Sequence, residues 1–331
     1  VLLYVLYTAT ILREETIMSK ANLKPLTQKT TRKDLYAEVT AEVIAAIESG
    51  TNPFSDEYKV TCPDLWNGAN VTTGMAYNGV NRLILAIEVS KKRYEKNLWL
   101  TFNQARAKKL NVRKGEKGTR LTFYKRYEKE TKNDTTGEKT KEARFLLSAF
   151  YVFNISQLDG DITDLDTAIN DSKMALDVIA TCPVPVQTGR QIPYYSPVGD
   201  YINMPKIDTF SSEQAWLATF CHEAVHATGH ATRLNRLADD AAFGSESYAF
   251  EELVAEMGAT FLCADLGIES RIKHHASYLA SWLKVLKNDN KAIFKASSMA
   301  QKACEYIKNG WQVKATDTNT DSDSDTTEQA A

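Results

Sequence analysis

The sequence His222-Glu-Ala-Val-His226 limits what this chain can fold into more than any other stretch. It lies within residues 211–230, where the apolar spacing predicts a helix, so the two imidazoles stand four residues apart on one helical face. Such a pair can hold a tetrahedral zinc ion, and Glu223 stands where it can act as general base on a zinc-bound water. The alternative is a helix that carries two histidines by chance, which is rare in a chain with only five histidines. We therefore predict a metal site whose ligands include His222 and His226.

A catalytic zinc ion also needs a third protein ligand. Glu252 and Glu256 lie four residues apart in a predicted helix over residues 246–266, with apolar neighbours that indicate burial, and a buried carboxylate needs a cation or hydrogen-bond partners. We predict that Glu252 binds the metal, a gluzincin-like arrangement, and that Glu256 hydrogen-bonds a ligand histidine. For Glu251 the simpler expectation is an exposed helix face. The residue that would stabilise an oxyanion stays open among Tyr194, Tyr195 and Tyr248.

The charge of the chain is divided between its two halves. Residues 1–150 carry 26 Lys and Arg against 17 Asp and Glu, and residues 151–331 carry 14 against 25, although the whole chain has a formal charge of only −2. This asymmetry predicts two domains with different partners. We place them at residues 32–158 and 159–314. We expect the N-terminal extension, 1–31, and the acidic tail, 315–331, to be disordered.

The spacing of apolar residues predicts an α+β fold, in which a basic mixed α/β domain precedes a mostly helical, zincin-like domain. In the first half we predict helices at 32–49 and 80–89 and strands at 99–102, 121–127 and 145–153, with the polar residues 128–144 as a long hairpin loop. In the second half we predict helices at 164–180, 211–230, 246–266, 271–288 and 291–309.

The cysteines and the hydropathy indicate the compartment. The five cysteines are scattered without any Cys-x-x-Cys pair, which predicts a reducing environment, most simply the cytoplasm, and disfavours a disulfide framework. No stretch is long and apolar enough to span a bilayer, which needs about 20 residues. We expect no membrane partner.

A basic run with aromatic neighbours suggests nucleic-acid binding. Residues 106–126 hold nine basic residues and one acid, and glycines in the run let the backbone approach phosphates. Cations with stacking aromatics are typical of single-stranded nucleic-acid sites. Composition alone slightly favours the other interpretation, a solvated basic face with the aromatics in the core. The predicted DNA contacts are Tyr77, Arg82, Trp99, Phe102, Arg113, Lys114, Lys117, Arg120, Lys125 and Arg126.

Two regions carry motifs that resemble a known family. The first, about residues 33–155, includes Asn70, Thr73-Gly74, Tyr77, Gly79, Asn81, Trp99-Leu-Thr-Phe102, Gln104-Ala105 and Lys114-Gly-Glu-Lys-Gly118. The second, about residues 193–266, includes Tyr195-Ser-Pro197, Asp200, Ile202, Pro205, His222-Glu-Ala-Val-His226, Thr228-Gly229, Arg233-Leu234 and Glu251-Glu-Leu-Val-Ala-Glu256. In this order they resemble the ArdC-type antirestriction proteins of conjugative plasmids and phages. The chain departs from the family pattern at Phe54, where Trp is common, and at Asn111, where Gly is.

The resemblance implies an N-terminal domain that binds single-stranded DNA and a C-terminal metallopeptidase-like domain with one divalent ion, zinc first and Mn²⁺ or another ion as alternatives. It also implies protection of incoming DNA from host restriction, with a protein of the restriction system as one conceivable substrate. Three hypotheses stay open: a peptidase delivered to DNA, a DNA-binding shield whose metal site is structural, and an α+β protein without a nucleic-acid role. The presence of Glu223 favours the first over the second, because a structural site needs no general base.

Overall fold

The computed structural model describes residues 34–49, 62, 64–132, 139–162, 165, 180–237, 245–268 and 276–313. The described residues from Leu35 onwards form one compact unit. The predicted end segments, 1–31 and 315–331, lie outside the described residues, as does nearly all of the helix predicted at 164–180.

The described elements confirm the α+β fold class, with most strands in the first half and the long helices in the second. The helices are α1 (Leu35–Glu48), α2 (Val80–Lys92), α3 (Phe102–Ala107), α4 (Glu213–Thr228), α5 (Glu246–Asp265), α6 (Ala276–Asn288) and α7 (Ala292–Lys308). The strands are β1 (Ala69–Asn70), β2 (Leu98–Thr101), β3 (Asn111–Val112), β4 (Thr119–Lys132), β5 (Lys139–Asn154), β6 (Leu158–Asp159), β7 (Val186–Gln187), β8 (Tyr194–Ser196) and β9 (Tyr201–Asn203).

The main sheet has the strand order β1-β2-β5-β4, in which only the β1–β2 pair is parallel. Strands β4 and β5 form a long antiparallel hairpin whose register runs from Thr119 opposite Val152 to Lys132 opposite Lys139. The prediction of a loop over 128–144 is therefore wrong for most of that range. The ladder is made by backbone N–H and C=O groups, which polar residues supply as well as apolar ones, so a polar sequence does not exclude a hairpin strand.

Helices α1 and α2 lie against the outer edge of strand β4. The Asn81 side chain of α2 donates to the Thr122 carbonyl at 2.8 Å and accepts from the Thr122 amide at 2.8 Å. Arg120 of β4 pairs with Glu38 and Glu42 of α1. The two bonds of Asn81 satisfy backbone groups that an edge strand would otherwise leave free for pairing with another chain, and the ion pairs of Arg120 hold α1 beside the strand.

One continuous core joins the two halves of the chain. Its buried side chains come from α1, α2 and β2 in the first half and from α4, α5 and α7 in the second. Arg82 of α2 is 4% exposed and connects the two halves. It donates hydrogen bonds to the Phe261 carbonyl at 3.1 Å and to the Asp265 carboxylate at 2.6 Å. Its guanidinium also lies 4.7 Å from the centroid of the Phe261 ring. The two sequence regions that resemble separate domains are thus packed together.

Asp265 lies at the centre of this junction. Burial alone would raise its pKa, but Arg82 and Lys308, which is 2.7 Å away, outweigh burial and hold the pKa of Asp265 below its ordinary value. The Cys304 thiol donates to the same carboxylate at 3.4 Å. The carboxylate is therefore ionised in the folded protein, where it bridges the two halves.

A smaller core lies under the other end of the main sheet. It is formed by Leu100, Ala105, Leu110, Ile155, Leu158 and Leu165. It fixes α3 and the short β3–β6 pair next to the carboxyl end of β5.

Close approach of α4 and α5 sets the geometry of the second half. A Cβ atom on Gly258 of α5 would lie 2.8 Å from Cγ1 of Val225 of α4, so only glycine fits at this crossing. Serines cap both helices, as Ser212 accepts from the Ala215 amide and Ser245 from the Tyr248 amide.

The structure describes all five cysteines and the long helices. All five cysteines are free, as expected for a chain without a disulfide framework. Within the described ranges, no helix has both the length and the hydropathy to cross a bilayer.

Candidate metal centre and nucleic-acid interface

His222 and His226 lie one turn apart on α4 and point the same ring atom toward each other. Their Nε2 atoms are 3.2 Å apart, and the ring planes meet at 80°. Both side chains are largely buried, with 17% and 13% of their surface exposed. The helix thus presents two imidazole nitrogens to one point, as the spacing of the motif predicts.

The carboxylate of Glu252, on α5, lies close to both of these nitrogens. Its Oε2 lies 3.6 Å from Nε2 of His222 and its Oε1 lies 3.5 Å from Nε2 of His226. The three residues form a group whose potential ligand atoms all lie within 4.8 Å of one another. Ligands about 2.0–2.1 Å from a tetrahedral zinc ion are separated by about 3.3 Å, so this donor set fits a divalent ion. The structure brings together the three predicted ligands.

A further carboxylate lies close to the Nδ1 atom of each of the two histidines. Nδ1 of His222 lies 3.4 Å from Oε2 of Glu256, a loose contact, and Nδ1 of His226 lies 3.0 Å from Oε1 of Glu251. Carboxylates in this position fix the ring and its tautomer so that Nε2 faces the metal. Glu256 thus lies near His222, and its predicted hydrogen bond to that ring stays a prediction.

Glu251 departs from the expectation of an exposed helix face. Its side chain is 13% exposed, and besides His226 it receives two hydrogen bonds from Arg236, at 3.0 Å from Nε and 2.9 Å from Nη2. Successive helical positions point about 100° apart, so the spacing that selects Glu252 and Glu256 does not select Glu251. Nothing in the sequence pattern connects it to His226.

Arg236 follows α4 and ties the metal helix to α5. Its guanidinium is 5% exposed and also donates to Oγ1 of Thr228 at 2.6 Å and to the Val225 carbonyl. A planar fork with this many partners fixes Glu251 in one position, which in turn fixes His226. Sequence reasoning missed Arg236 altogether.

The carboxylates and the two histidines shift each other's pKa values. Burial alone would lower the pKa of His226, but hydrogen bonds to Glu251 and Glu252 outweigh it and raise that pKa to about 9. Burial would raise the pKa of Glu252, yet both histidines outweigh burial and hold it well below the ordinary value. Glu252 is therefore ionised at neutral pH, and a bound cation would compete with protons on the imidazoles.

Two of the predicted oxyanion stabilisers are engaged elsewhere. The Tyr195 hydroxyl donates to Asp200 at 2.7 Å and accepts from Arg233 at 3.0 Å, in a network that fastens the turn after α4. Burial and the Asp200 hydrogen bond raise the pKa of Tyr195. The Tyr194 hydroxyl lies 3.0 Å from that of Tyr201. Tyr248 lies in the first turn of α5. Glu223, predicted as general base, is 7% exposed beside His222 on α4.

Comparisons with known proteins place this geometry in a family. Residues 33–153 match the family model of the N-terminal domain of anti-restriction factor ArdC, and residues 174–299 match that of the zincin-like metallopeptidases. The antirestriction ArdC protein from the R388 plasmid is similar in its metal-free structure, at 36% identity and a TM-score of 0.71, with 84% of this chain and 98% of that chain covered. The chain belongs to the ArdC antirestriction family.

Further relatives of this ArdC-family chain agree with the assignment. The Mn(II)-bound structure of the same R388 protein is 35% identical, with a TM-score of 0.68 over 84% of this chain and 98% of that one. An uncharacterized protein of Sinorhizobium fredii, y4eC, is 32% identical over 84% of this chain and 92% of its own length. The DNA primase TraC of Escherichia coli is 32% identical over 83% of this chain, but the match spans only 27% of TraC.

Three of the residues predicted as DNA contacts in this ArdC-family chain are buried. Trp99 is 0% exposed and donates to Asn97 at 2.5 Å, and Tyr77 is 1% exposed and accepts from Asn70 at 3.2 Å. Arg82 lies at the junction of the two halves. None of the three has surface to offer to DNA, so for them the alternative of core aromatics and structural cations is the right one.

Two of the predicted arginines are held by protein groups. Arg120 pairs with the carboxylates of α1 described above, and Arg113 donates to the carbonyls of Leu158 and Ser156 and pairs with Glu116 at 3.1 Å. These arginines fix local structure. Apart from Arg113, whose side chain is still 43% exposed, the predicted contacts that remain exposed are Phe102, Lys114, Lys117, Lys125 and Arg126.

Proposed function

We propose that this ArdC-family protein binds single-stranded DNA, protects DNA that enters a restricting host, and holds one divalent ion at His222, His226 and Glu252. The observation that carries the metal assignment is the convergence of two Nε2 atoms and one carboxylate, each histidine being oriented by a second carboxylate. The R388 relative has been solved with Mn(II) bound. Zinc or manganese is therefore the first ion to test.

The ion would supply Lewis-acid chemistry, polarising a carbonyl and lowering the pKa of water. Glu223 follows His222 directly on α4 and is the residue we propose as general base, taking the proton from water as it attacks. Glu256 and Glu251 orient the two histidines, and Arg236 orients Glu251. A peptide bond is the substrate class that this set of groups fits.

Substitution of Glu223 distinguishes peptidase chemistry from a DNA shield with a structural metal. Glu223→Gln keeps the size of the side chain and removes the base, whereas His222→Ala removes a ligand. We expect metal analysis to find the ion in Glu223→Gln and to find it lost in His222→Ala.

The biological readout is plasmid transfer into a restricting host. If hydrolysis protects the DNA, Glu223→Gln loses protection although it keeps its metal. Full protection by Glu223→Gln would show that the shield is the correct alternative.

DNA binding is tested through its salt dependence. Each phosphate contact to a single strand adds about 0.7 to the slope of log affinity against log salt concentration. We expect a steep loss of affinity between low and moderate salt. An affinity that does not change with salt would contradict the proposed phosphate contacts and favour an α+β protein without a nucleic-acid role.

A further inference from the structure

Three aromatic side chains form a surface at the carboxyl end of strand β5. Tyr151 is 57% exposed and Phe102 is 50% exposed, although both are large rings at the edge of an apolar core. Phe153, partly buried, lies two residues beyond Tyr151 on the same face of the strand, and its ring centroid is 6.4 Å from that of Phe102. We call Phe102, Tyr151 and Phe153 the aromatic platform.

Helix capping and core packing hold the rings of the aromatic platform in place. Thr101 caps α3 through a capping box with Gln104, which fixes Phe102 at the first position of that helix. Phe153 packs against the smaller core. The exposed rings therefore stand on ordered backbone, which limits the entropy lost when a ligand stacks on them.

The basic loop of residues 113–118 runs directly beside the platform. A Cβ atom on Gly118 would lie 3.1 Å from Cζ of Phe153 and 3.2 Å from Cβ of Tyr151, so the glycine permits this close approach. Arg113 anchors the loop to the turn after β5, and Gln157 donates to the Lys117 carbonyl at 3.0 Å. Loop and platform thus form one surface.

Three exposed cations lie on the helix that carries Phe102 and on the loop that borders the platform. Lys114 and Lys117 project from the loop and are exposed. Arg106 is exposed four residues after Phe102 on α3, which places it on the same helical face. Among the residues that the structure describes, these three side chains form no ion pairs. Their charge is therefore available to an anionic ligand.

We propose that the aromatic platform is where single-stranded DNA binds, with bases stacked on Tyr151, Phe102 and Phe153 and phosphates beside Arg106, Lys114 and Lys117. This rests on the proposed single-strand binding and gives it a site. Exposed rings on a sheet face combined with nearby cations match the requirements of an unpaired strand, whose bases are free to stack. A duplex keeps its bases stacked inside, so the platform discriminates against it.

The test is fluorescence anisotropy with the full-length protein and a short labelled oligothymidylate at fixed salt. Tyr151→Thr removes the ring and puts in its place another residue that favours strands. Loss of one stacked base should weaken binding roughly 5- to 150-fold. Tyr151→Phe, which keeps the ring, should restore most of the affinity that Tyr151→Thr loses. The double variant Lys114→Gln/Lys117→Gln should lower the salt slope by about 1.4.

Phe145→Thr is the matched control, because Phe145 is 41% exposed on the same face of β5, six residues and about 20 Å away. We expect its affinity to equal that of wild type. Equal losses in Phe145→Thr and Tyr151→Thr, or wild-type affinity in Tyr151→Thr, would overturn the platform and leave these rings as a candidate protein contact. Absence of binding by the wild-type protein would overturn the proposed single-strand binding itself. Phe102→Leu is the second variant if Tyr151→Thr melts at a lower temperature than wild type.

Discussion

Replacement of Glu251 by Gln tests whether the residues behind the metal ligands matter as much as the geometry implies. In the wild type, one Glu251 oxygen lies 3.0 Å from Nδ1 of His226, and Arg236 bonds both oxygens. Gln keeps the shape of the side chain but removes the negative charge that holds the imidazole with Nε2 toward the metal. It also leaves the buried Arg236 guanidinium without a counter-charge.

The substitution should weaken metal binding and should lower the stability of the metal-free protein. Loss of a carboxylate that orients a ligand histidine costs about 10- to 100-fold in metal affinity. At the same metal concentration this lowers the stabilisation by the ion by about 1.4–2.7 kcal/mol, which for a chain of this length is about 2–4 °C of the metal-induced rise in Tm. The metal-free protein loses stability separately, by about 3–5 kcal/mol, since breaking a buried ion pair leaves an uncompensated charge.

The assay is calorimetric titration of Mn²⁺ or Zn²⁺ into chelator-treated protein, with melting curves recorded with and without the ion. Glu246→Gln is the matched control, because Glu246 lies on the first turn of the same helix and is exposed. It should match wild type in both measurements. Wild-type metal affinity in a folded Glu251→Gln protein would refute the reasoning that Glu251 orients His226.

Two other substitutions test the helix crossing and the junction between the halves. Gly258→Ala should lower stability by about 1–3 kcal/mol and weaken metal binding, because its Cβ would overlap Val225, and Val225→Ala in the same chain should recover part of both, as measured by melting and metal titration. Asp265→Asn should flatten the acid side of the curve of stability against pH. The folded pKa of Asp265 is depressed by Arg82 and Lys308, so its contribution is present above the unfolded pKa of about 3.9 and is lost as pH falls below it. An unchanged acid limb in denaturant titrations would contradict this.

Helical spacing was enough to predict which side chains converge at the candidate metal site. A pair of histidines four residues apart must share a face, and Glu252 with Glu256 must share another. The contacts of Glu251 and Arg236 depend instead on how α4 and α5 cross and on where the chain turns after α4. Such contacts are tertiary, and no local periodicity reports them.

The aromatic residues with exposed rings could be predicted less well, because composition does not distinguish a buried aromatic from an exposed one. Trp99 and Tyr77 proved to be core residues, whereas Tyr151 and Phe153 lie in a run, Phe145 to Phe153, whose apolar character predicted a buried strand. When both faces of a strand carry apolar residues, the alternation gives no indication of which face meets solvent. Tyr151 is exposed because the next residue, Val152, points into the main core from the opposite face of the strand.

Helix α5 connects the two activities that we propose. Its first half carries Glu251, Glu252 and Glu256 to the histidines of α4, and its last residues bond Arg82 of the basic half. At 20 residues the helix is about 30 Å long, so it spans from the metal centre to the junction without a break. Because the core is continuous across that junction, the free energy of binding an ion at Glu252 stabilises the whole described unit, including the elements that position the aromatic platform.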